Sequence, residues 1–397
     1  MATITTSRPG FKTDLVLVAF LAVVAAGAAD ARGACPERIG RDIPTTKSPE
    51  RYVSLSELAA LNDEIDRSGH DVRALLLVRR CTVVFERYKQ GISRDHRLAA
   101  YSITKSIVST VAGVAIKQGR MPSLEVKVAD LLDRPSGLDV EAWERTNRIR
   151  LADFMGMRSG LEYKHDPRSH PIYNTAVDRL AVALSAKVVA APGKRFNYSD
   201  GDASVSGAMI AAAFKTTIRD AAQDNLWQRL GGQPIEWFGA DRVGRFPGGW
   251  ATHVRPMDLA KFGLLHLNGG VWNGEALIDV SYARAVWTAG PNPRYGLGWW
   301  IGDAKRYGVK WYMANGFKGQ RIYVMPELDL VVVVMASLTE KESSATHPLI
   351  IQRSIAAARG ASSTSAEQAA ERLRTLVHDG FRGRPTIEQR DQDPPRR

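Results

Sequence analysis

Ser102-Ile103-Thr104-Lys105 sets a hydroxyl and an amine three residues apart. On a helix those positions share a face, so the Lys105 amine can reach the Ser102 hydroxyl. A serine becomes a nucleophile only with a base beside it. Lysine is such a base once burial or a nearby cation lowers its pKa. Ile103, Ile107, Val111, Val114 and Ala115 fall at helical spacing, and Gly119 stops the run. The pattern predicts a helix from Ser102 to Gln118. Ser102 then sits at its N-terminus, where the helix dipole and unbonded N–H groups favour a developing negative charge. The plain alternative is a helix cap followed by a surface lysine.

Two later stretches could complete a site. Arg195-Phe196-Asn197-Tyr198-Ser199-Asp200-Gly201 follows Pro192-Gly193. A tyrosine in a turn that opens a helix can exchange protons with Ser102 and a leaving group. An ordinary buried tyrosine is the alternative. Asn315-Gly316-Phe317-Lys318-Gly319-Gln320 leads into a hairpin. A glycine-flanked edge strand lets a substrate carbonyl approach the backbone. An N–H from that strand, with that of Ser102, would form an oxyanion hole. Other chemistries lack their motifs. There is no Gly-x-Ser-x-Gly, no His-Glu-x-x-His, no phosphate-binding Gly-x-x-x-x-Gly-Lys-Ser/Thr and no Cys-x-x-Cys. The histidines have no metal-ligand spacing, so neither a metal nor a cofactor is expected.

These residues need a frame. Residues 74–89 read as a hairpin or two adjacent strands, with Val83, Val84, Phe85 and Tyr88 supplying β propensity. Residues 120–270 are mostly helix and loop, including helices over 178–188, 204–214 and 257–267. Near the end, Trp299-Trp300-Ile301 reads as a strand. Residues 320–324 and 330–335 flank a turn at Pro326-Glu327-Leu328-Asp329, a second hairpin. A helix from about Pro348 to Arg359 follows. Strands at both ends with helices between predict an α+β fold, its strands joined in one antiparallel sheet. From 361 to 397 the chain is polar and reads as a disordered tail.

Composition fits an ordinary globular chain, 44% hydrophobic and 24% charged over 397 residues. The net charge of +12 is spread along the sequence, without the aromatic-interleaved basic stripe of a nucleic-acid binder. Residues 1–34 read as a secretory signal: Arg8 and Lys12, an apolar run from Leu15 to Ala26, then small residues ending at Ala34. The run is short for a membrane span, and an uncleaved anchor is the alternative. Arg32 argues against lipidation of Cys35. A periplasmic or secreted location is expected. Cys35 and Cys81 are the two cysteines, and in an exported chain they are expected to pair, two free thiols being the alternative.

The order Ser-x-x-Lys, Tyr-Ser-Asp, then a glycine-rich strand before a Val-x-Pro-Glu turn resembles the serine β-lactamase-like hydrolases. The class C-like branch, with its esterases and 6-aminohexanoate-dimer hydrolases, is the most similar. Met157-Arg158-Ser159-Gly160-Leu161, Asp258-Leu259-Ala260-Lys261-Phe262-Gly263, Trp272-Asn273-Gly274 and Tyr295-Gly296-Leu297-Gly298-Trp299-Trp300 fit as well. The resemblance spans roughly residues 70 to 358. It implies a catalytic domain over 35–360, with sheet strands from 70–100 and 290–358 and a helical lobe over about 120–270. By position it implies Ser102 as acyl-forming nucleophile, Lys105 as base and Tyr198 as proton partner. It implies an oxyanion hole from the N–H groups of Ser102 and Phe317. Asp200, where many relatives have asparagine, together with Asn315, Gly316 and Trp299, would contact substrate. Trp300, Tyr163 and His253 are further pocket candidates. Where β-lactamases carry Lys-Thr-Gly, this chain has Ala314-Asn315-Gly316, with Lys318 nearby. That departure favours a small ester or linear amide over a β-lactam. A wall DD-peptidase and a silent binding module are the other readings.

Overall fold

A computed structural model describes Cys35, residues 39–360 and residues 366–382. The expected export signal, residues 1–34, lies outside the described residues, as do residues 383–397 of the expected tail.

Strand β1 (Val72–Arg79) explains why its sequence is almost continuously apolar. Ala74, Leu76 and Val78 point into one core and Leu75 and Leu77 into a second. A strand alternates its faces, so a sheet covered on both sides needs apolar residues at every position. β2 (Thr82–Tyr88) returns beside it after the two-residue turn Arg80-Cys81, both at positive φ (48° and 59°). Both signs match a tight hairpin turn. Cys81 therefore lies in the turn, and it is joined to Cys35.

The remaining strands come from the far end of the chain. They are β3 (Trp300–Ile301), β4 (Tyr312–Gly316), β5 (Gln320–Met325) and β6 (Leu330–Ala336). The sheet order is β2-β1-β6-β5-β4-β3, antiparallel throughout, with Leu76 opposite Val333. The two ends thus share one sheet, as the resemblance implied.

One face is covered by α1 (Leu55–Ser68), α5 (Glu340–Arg359) and α6 (Ala366–Asp379), through residues such as Leu58, Ile65, Ile351 and Leu373. Each fully buried side chain of this kind stabilises the fold by ~1.5–3 kcal/mol. α5 begins eight residues earlier than the expected Pro348 (348 − 340). A Thr339/Glu342 capping box sets its start and Pro348 is carried inside the helix. α6 corrects the expected tail: Ala369, Leu373, Leu376 and the following Phe381 are buried, so residues 366–382 are part of the fold.

The other face carries α2 (Ile103–Lys117) and α4 (Pro256–Leu267), and beyond them α3 (Asp200–Phe214) and shorter helices form the helical lobe. A small sheet of Leu98–Ala99, Thr252–Val254 and Glu236–Trp237 bridges into the turn before α2. Among the described residues no helix is long and apolar enough to cross a membrane.

Candidate active site

Ser102 is placed by a bent turn. Ala100 is tied to Thr252 by a backbone hydrogen bond of 2.8 Å, and Tyr101 takes a left-handed conformation (φ 48°). Bulky residues adopt that region rarely, and the surrounding hydrogen bonds hold Tyr101 there. The Thr104 hydroxyl donates to the Tyr101 carbonyl at 2.6 Å and contacts the Thr252 hydroxyl at 2.8 Å. Ser102 then caps α2, half-buried, on the wall of a cavity of 720 Å³.

Lys105 lies one turn on, buried. Its Nζ donates to Ser102 Oγ at 3.1 Å, to Asp200 Oδ1 at 2.5 Å and to the Gly249 carbonyl at 3.0 Å. An ammonium has three protons and no lone pair, so these three acceptors use it fully. Gly249 is required here: a Cβ would stand 2.6 Å from Asp200 Oδ1 and 3.0 Å from Nζ. Burial pushes the Lys105 pKa down, but the Asp200 carboxylate beside it prevails and holds it above the ordinary lysine value. The sequence reading required the opposite shift. Its source is the carboxylate at position 200.

Asp200 is the most connected group of the site. The hydroxyls of Tyr173 (2.5 Å) and Tyr163 (3.2 Å) donate to its Oδ2, and His165 Nδ1 lies 3.5 Å away. Burial would raise its pKa, yet Lys105 and these hydrogen bonds keep it well below the usual carboxylate range. Burial and the same carboxylate push both tyrosine hydroxyls up. Asp200 is thus turned to Lys105 and the tyrosines as well as to the cavity. Neither tyrosine was assigned this role from sequence, because only folding brings residues 163 and 173 to position 200.

The turn bearing Tyr198 is braced from below. Ser199 caps α3, its hydroxyl accepting from the Asp202 amide at 3.0 Å. Asn197 is bonded through its backbone to Met157, itself in a left-handed turn (φ 54°). Ser159 donates to Asp202 at 2.7 Å. The Met157–Gly160 motif therefore buttresses Tyr198. The Tyr198 ring packs against Trp300 and Tyr295, with Lys105 Nζ 4.8 Å from its centre. Asp202 is fully enclosed, and burial outweighs its hydrogen bonds to raise its carboxyl to about 7.

On the opposite wall, β4 passes against the turn that carries Ser102. A Cβ at Gly316 would stand 2.4 Å from the Ala100 carbonyl oxygen, so only glycine allows the approach. The Phe317 ring meets Tyr101 edge-on at 5.7 Å. Asn315, Gly316, Phe317 and Lys318 all line the cavity, as do Trp300 and His253. Trp299 does not. It is fully buried against Phe262, His266 and Trp287. Adjacent residues on an extended segment face opposite ways, so Trp300 reaches the cavity and Trp299 the core. Arg321, missed in the sequence, lines the cavity next to Asn315. Among the described residues no cluster of side chains could hold a metal ion.

The Beta-lactamase family model matches residues 69–356. The chain belongs to the beta-lactamase family. A 6-aminohexanoate-dimer hydrolase of Paenarthrobacter ureafaciens is 23% identical over 349 residues, covering 78% of this chain and 84% of that protein. Two solved structures share the fold. One is a Bacillus anthracis protein provisionally described as a 6-aminohexanoate-dimer hydrolase (TM-score 0.64, 18% identity, 81% of this chain and 88% of the other). The second is EstCE1, a hydrolase with promiscuous acyltransferase activity (TM-score 0.61, 14% identity, 76% and 99%). The family is one of hydrolases, and the antiparallel sheet with flanking helices is its fold.

Proposed function

We propose that this member of the family is an exported serine hydrolase that cleaves an ester or a linear amide through an acyl group on Ser102. One observation carries the reading: Ser102 Oγ stands on the cavity wall with Lys105 Nζ 3.1 Å away, at the N-terminus of an apolar helix. Lys105, after releasing a proton, takes the Ser102 hydroxyl proton as Oγ attacks the substrate carbonyl carbon. The C–Oγ bond forms, and the oxyanion accepts from the N–H groups of Ser102 and Phe317. The close passage of Gly316 against Ala100 supports that pairing of amides. As the carbonyl re-forms, the bond to the leaving group breaks and Tyr198 supplies that group's proton. Water, losing a proton to Tyr198, then attacks the acyl carbon; the C–Oγ bond breaks and Ser102 Oγ takes back the proton held by Lys105, giving the acid and free enzyme.

The substrate class draws on the relatives as well. A 6-aminohexanoate-dimer hydrolase and a hydrolase with acyltransferase activity support simple amides and esters. The absence of a lysine at Ala314 speaks against a dedicated β-lactam site. The Cys35–Cys81 disulfide supports an oxidising compartment. The test is a panel of short acyl p-nitrophenyl esters and linear amides. Wild type should turn over at least one member, and Ser102→Ala should lose at least 10³-fold. Activity retained in Ser102→Ala, or none against the whole panel, would sink the reading.

A further inference from the structure

The ring of His165 lines the cavity, tied at one nitrogen and free at the other. Its Nδ1 lies 3.0 Å from the Tyr173 hydroxyl and 3.5 Å from both the Tyr163 hydroxyl and Asp200 Oδ2. The surroundings assign the protons. Tyr173 and Tyr163 each have a single O–H, and both donate it to Asp200 Oδ2. What remains around Nδ1 is oxygen lone pairs, so Nδ1 carries the hydrogen. In the uncharged ring the other nitrogen then holds the lone pair. That Nε2 has no hydrogen-bond partner among the described residues, and the side chain is 58% exposed. An acceptor of fixed orientation thus opens onto the cavity.

The loop that carries His165 holds that orientation. Tyr163 and Tyr173 stand at its two ends, both fastened to Asp200. Between them Asp166 accepts from the Arg168 amide at 3.0 Å and from the Ser169 hydroxyl at 2.5 Å, and His170 Nδ1 accepts from the Ile172 amide at 3.2 Å. His253, the other histidine on the cavity wall, is instead buried and meets the Phe238 ring edge-on. Asp200 joins the two halves of the arrangement, with Oδ1 on Lys105 and Oδ2 on the cluster around His165. His165 therefore belongs to the wall that carries Lys105 and Tyr198, across the cavity from β4. A lone pair on that wall matches a need of the second half of the reaction. The attacking water has two hydrogens. Tyr198 takes one, and an acceptor for the other fixes where the water oxygen points.

We infer that His165 Nε2 accepts a hydrogen bond from the water that hydrolyses the acyl group on Ser102, and so aims that water at the acyl carbon. The inference rests on the hydrolase reading. In the step, the water oxygen bonds to the acyl carbon and one hydrogen passes to Tyr198. The C–Oγ bond breaks as Oγ recovers the proton from Lys105. The hydrogen held by His165 stays on the new carboxylic acid. Forming the acyl group uses no water, so His165 should matter to the second half alone. The test separates the halves with p-nitrophenyl acetate. Acylation is read as p-nitrophenol release with enzyme in excess, and deacylation as decay of the acetyl adduct on Ser102 by quenched mass spectrometry. His165→Asn puts an amide N–H where Nδ1 stood and nothing in place of Nε2. It should slow deacylation by about 10- to 100-fold while acylation changes less than about 3-fold, so that kcat and KM fall together. Both halves slowed alike would make His165 a brace for Tyr173 and Asp200 and overturn the inference. An adduct that forms normally and decays as fast in His165→Asn as in wild type sinks this inference alone. A wild type that forms no acetyl adduct on Ser102 sinks the hydrolase reading and this inference with it.

Discussion

Replacing Asp200 by asparagine should move the pH profile of the enzyme toward acid. Lys105 must lose a proton before it can act as a base, and Asp200, 2.5 Å from its Nζ, is the group that retains that proton. Unit charges 4 Å apart interact by about 4 kcal/mol at an effective dielectric near 20, and 1.36 kcal/mol corresponds to one pH unit. The full term would be about 3 units, and the remaining amide dipole and the Gly249 carbonyl reduce it. An acid shift of about 1–3 units in the rising limb of kcat/KM is therefore expected. The sign follows from direction: the carboxylate raises the lysine pKa, so its removal makes neutral lysine available at lower pH. The assay is kcat/KM for a reactive ester from pH 5 to 10.5 in wild type and Asp200→Asn. The substitution also strips a buried ammonium of its counter-charge, which costs about 3–5 kcal/mol of stability at neutral pH and should lower Tm. That loss should shrink at alkaline pH, where Lys105 in the variant is neutral. A profile that falls uniformly without moving would refute the claim that Asp200 sets the protonation of Lys105.

Other expectations follow from single side chains. Tyr198→Phe should lower kcat by about 10²–10⁴ with Tm nearly unchanged, because the ring contacts to Trp300 and Tyr295 remain; equal activity would remove Tyr198 from the proton path. Asp202, raised to about 7, takes up a proton on folding, so stability should fall as pH rises from about 4 to 7, by up to roughly 4 kcal/mol. Asp202→Asn should flatten that dependence in thermal melts at pH 5 and 8, and an unchanged slope would contradict it. Breaking Cys35–Cys81, which spans 46 residues, as the double alanine variant should cost about 2–4 kcal/mol, read as a lower urea midpoint.

Much of this arrangement was legible in the residues. The apolar spacing from Ile103 to Ala115 gave α2 nearly to its ends, and the Pro326–Asp329 turn gave β5 and β6. Patterns of this kind are local, and local patterns survive in a sequence. What escaped depends on distant pairing. Nothing near Asp200 announces Tyr163 and Tyr173, and nothing near Gly249 announces the ion pair whose space it preserves. The sign of the Lys105 shift was missed because position 200 was read as a substrate contact, while a carboxylate there is drawn to the nearest buried cation. α6 had its signal in Ala369, Leu373 and Leu376, which keep helical spacing, but the surrounding charges masked so short a stripe. Trp299 and Trp300 are identical in type, and only the sheet decides which one reaches the cavity.

The central claim is that Ser102 forms a covalent acyl group with Lys105 as its partner. Intact-protein and peptide mass spectrometry after treatment with a fluorophosphonate tests it most directly. One adduct per chain is expected, mapped to the peptide containing Ser102, absent from Ser102→Ala and slowed at least 10²-fold in Lys105→Ala. An adduct on another residue, or equal labelling of Ser102→Ala, would contradict the account.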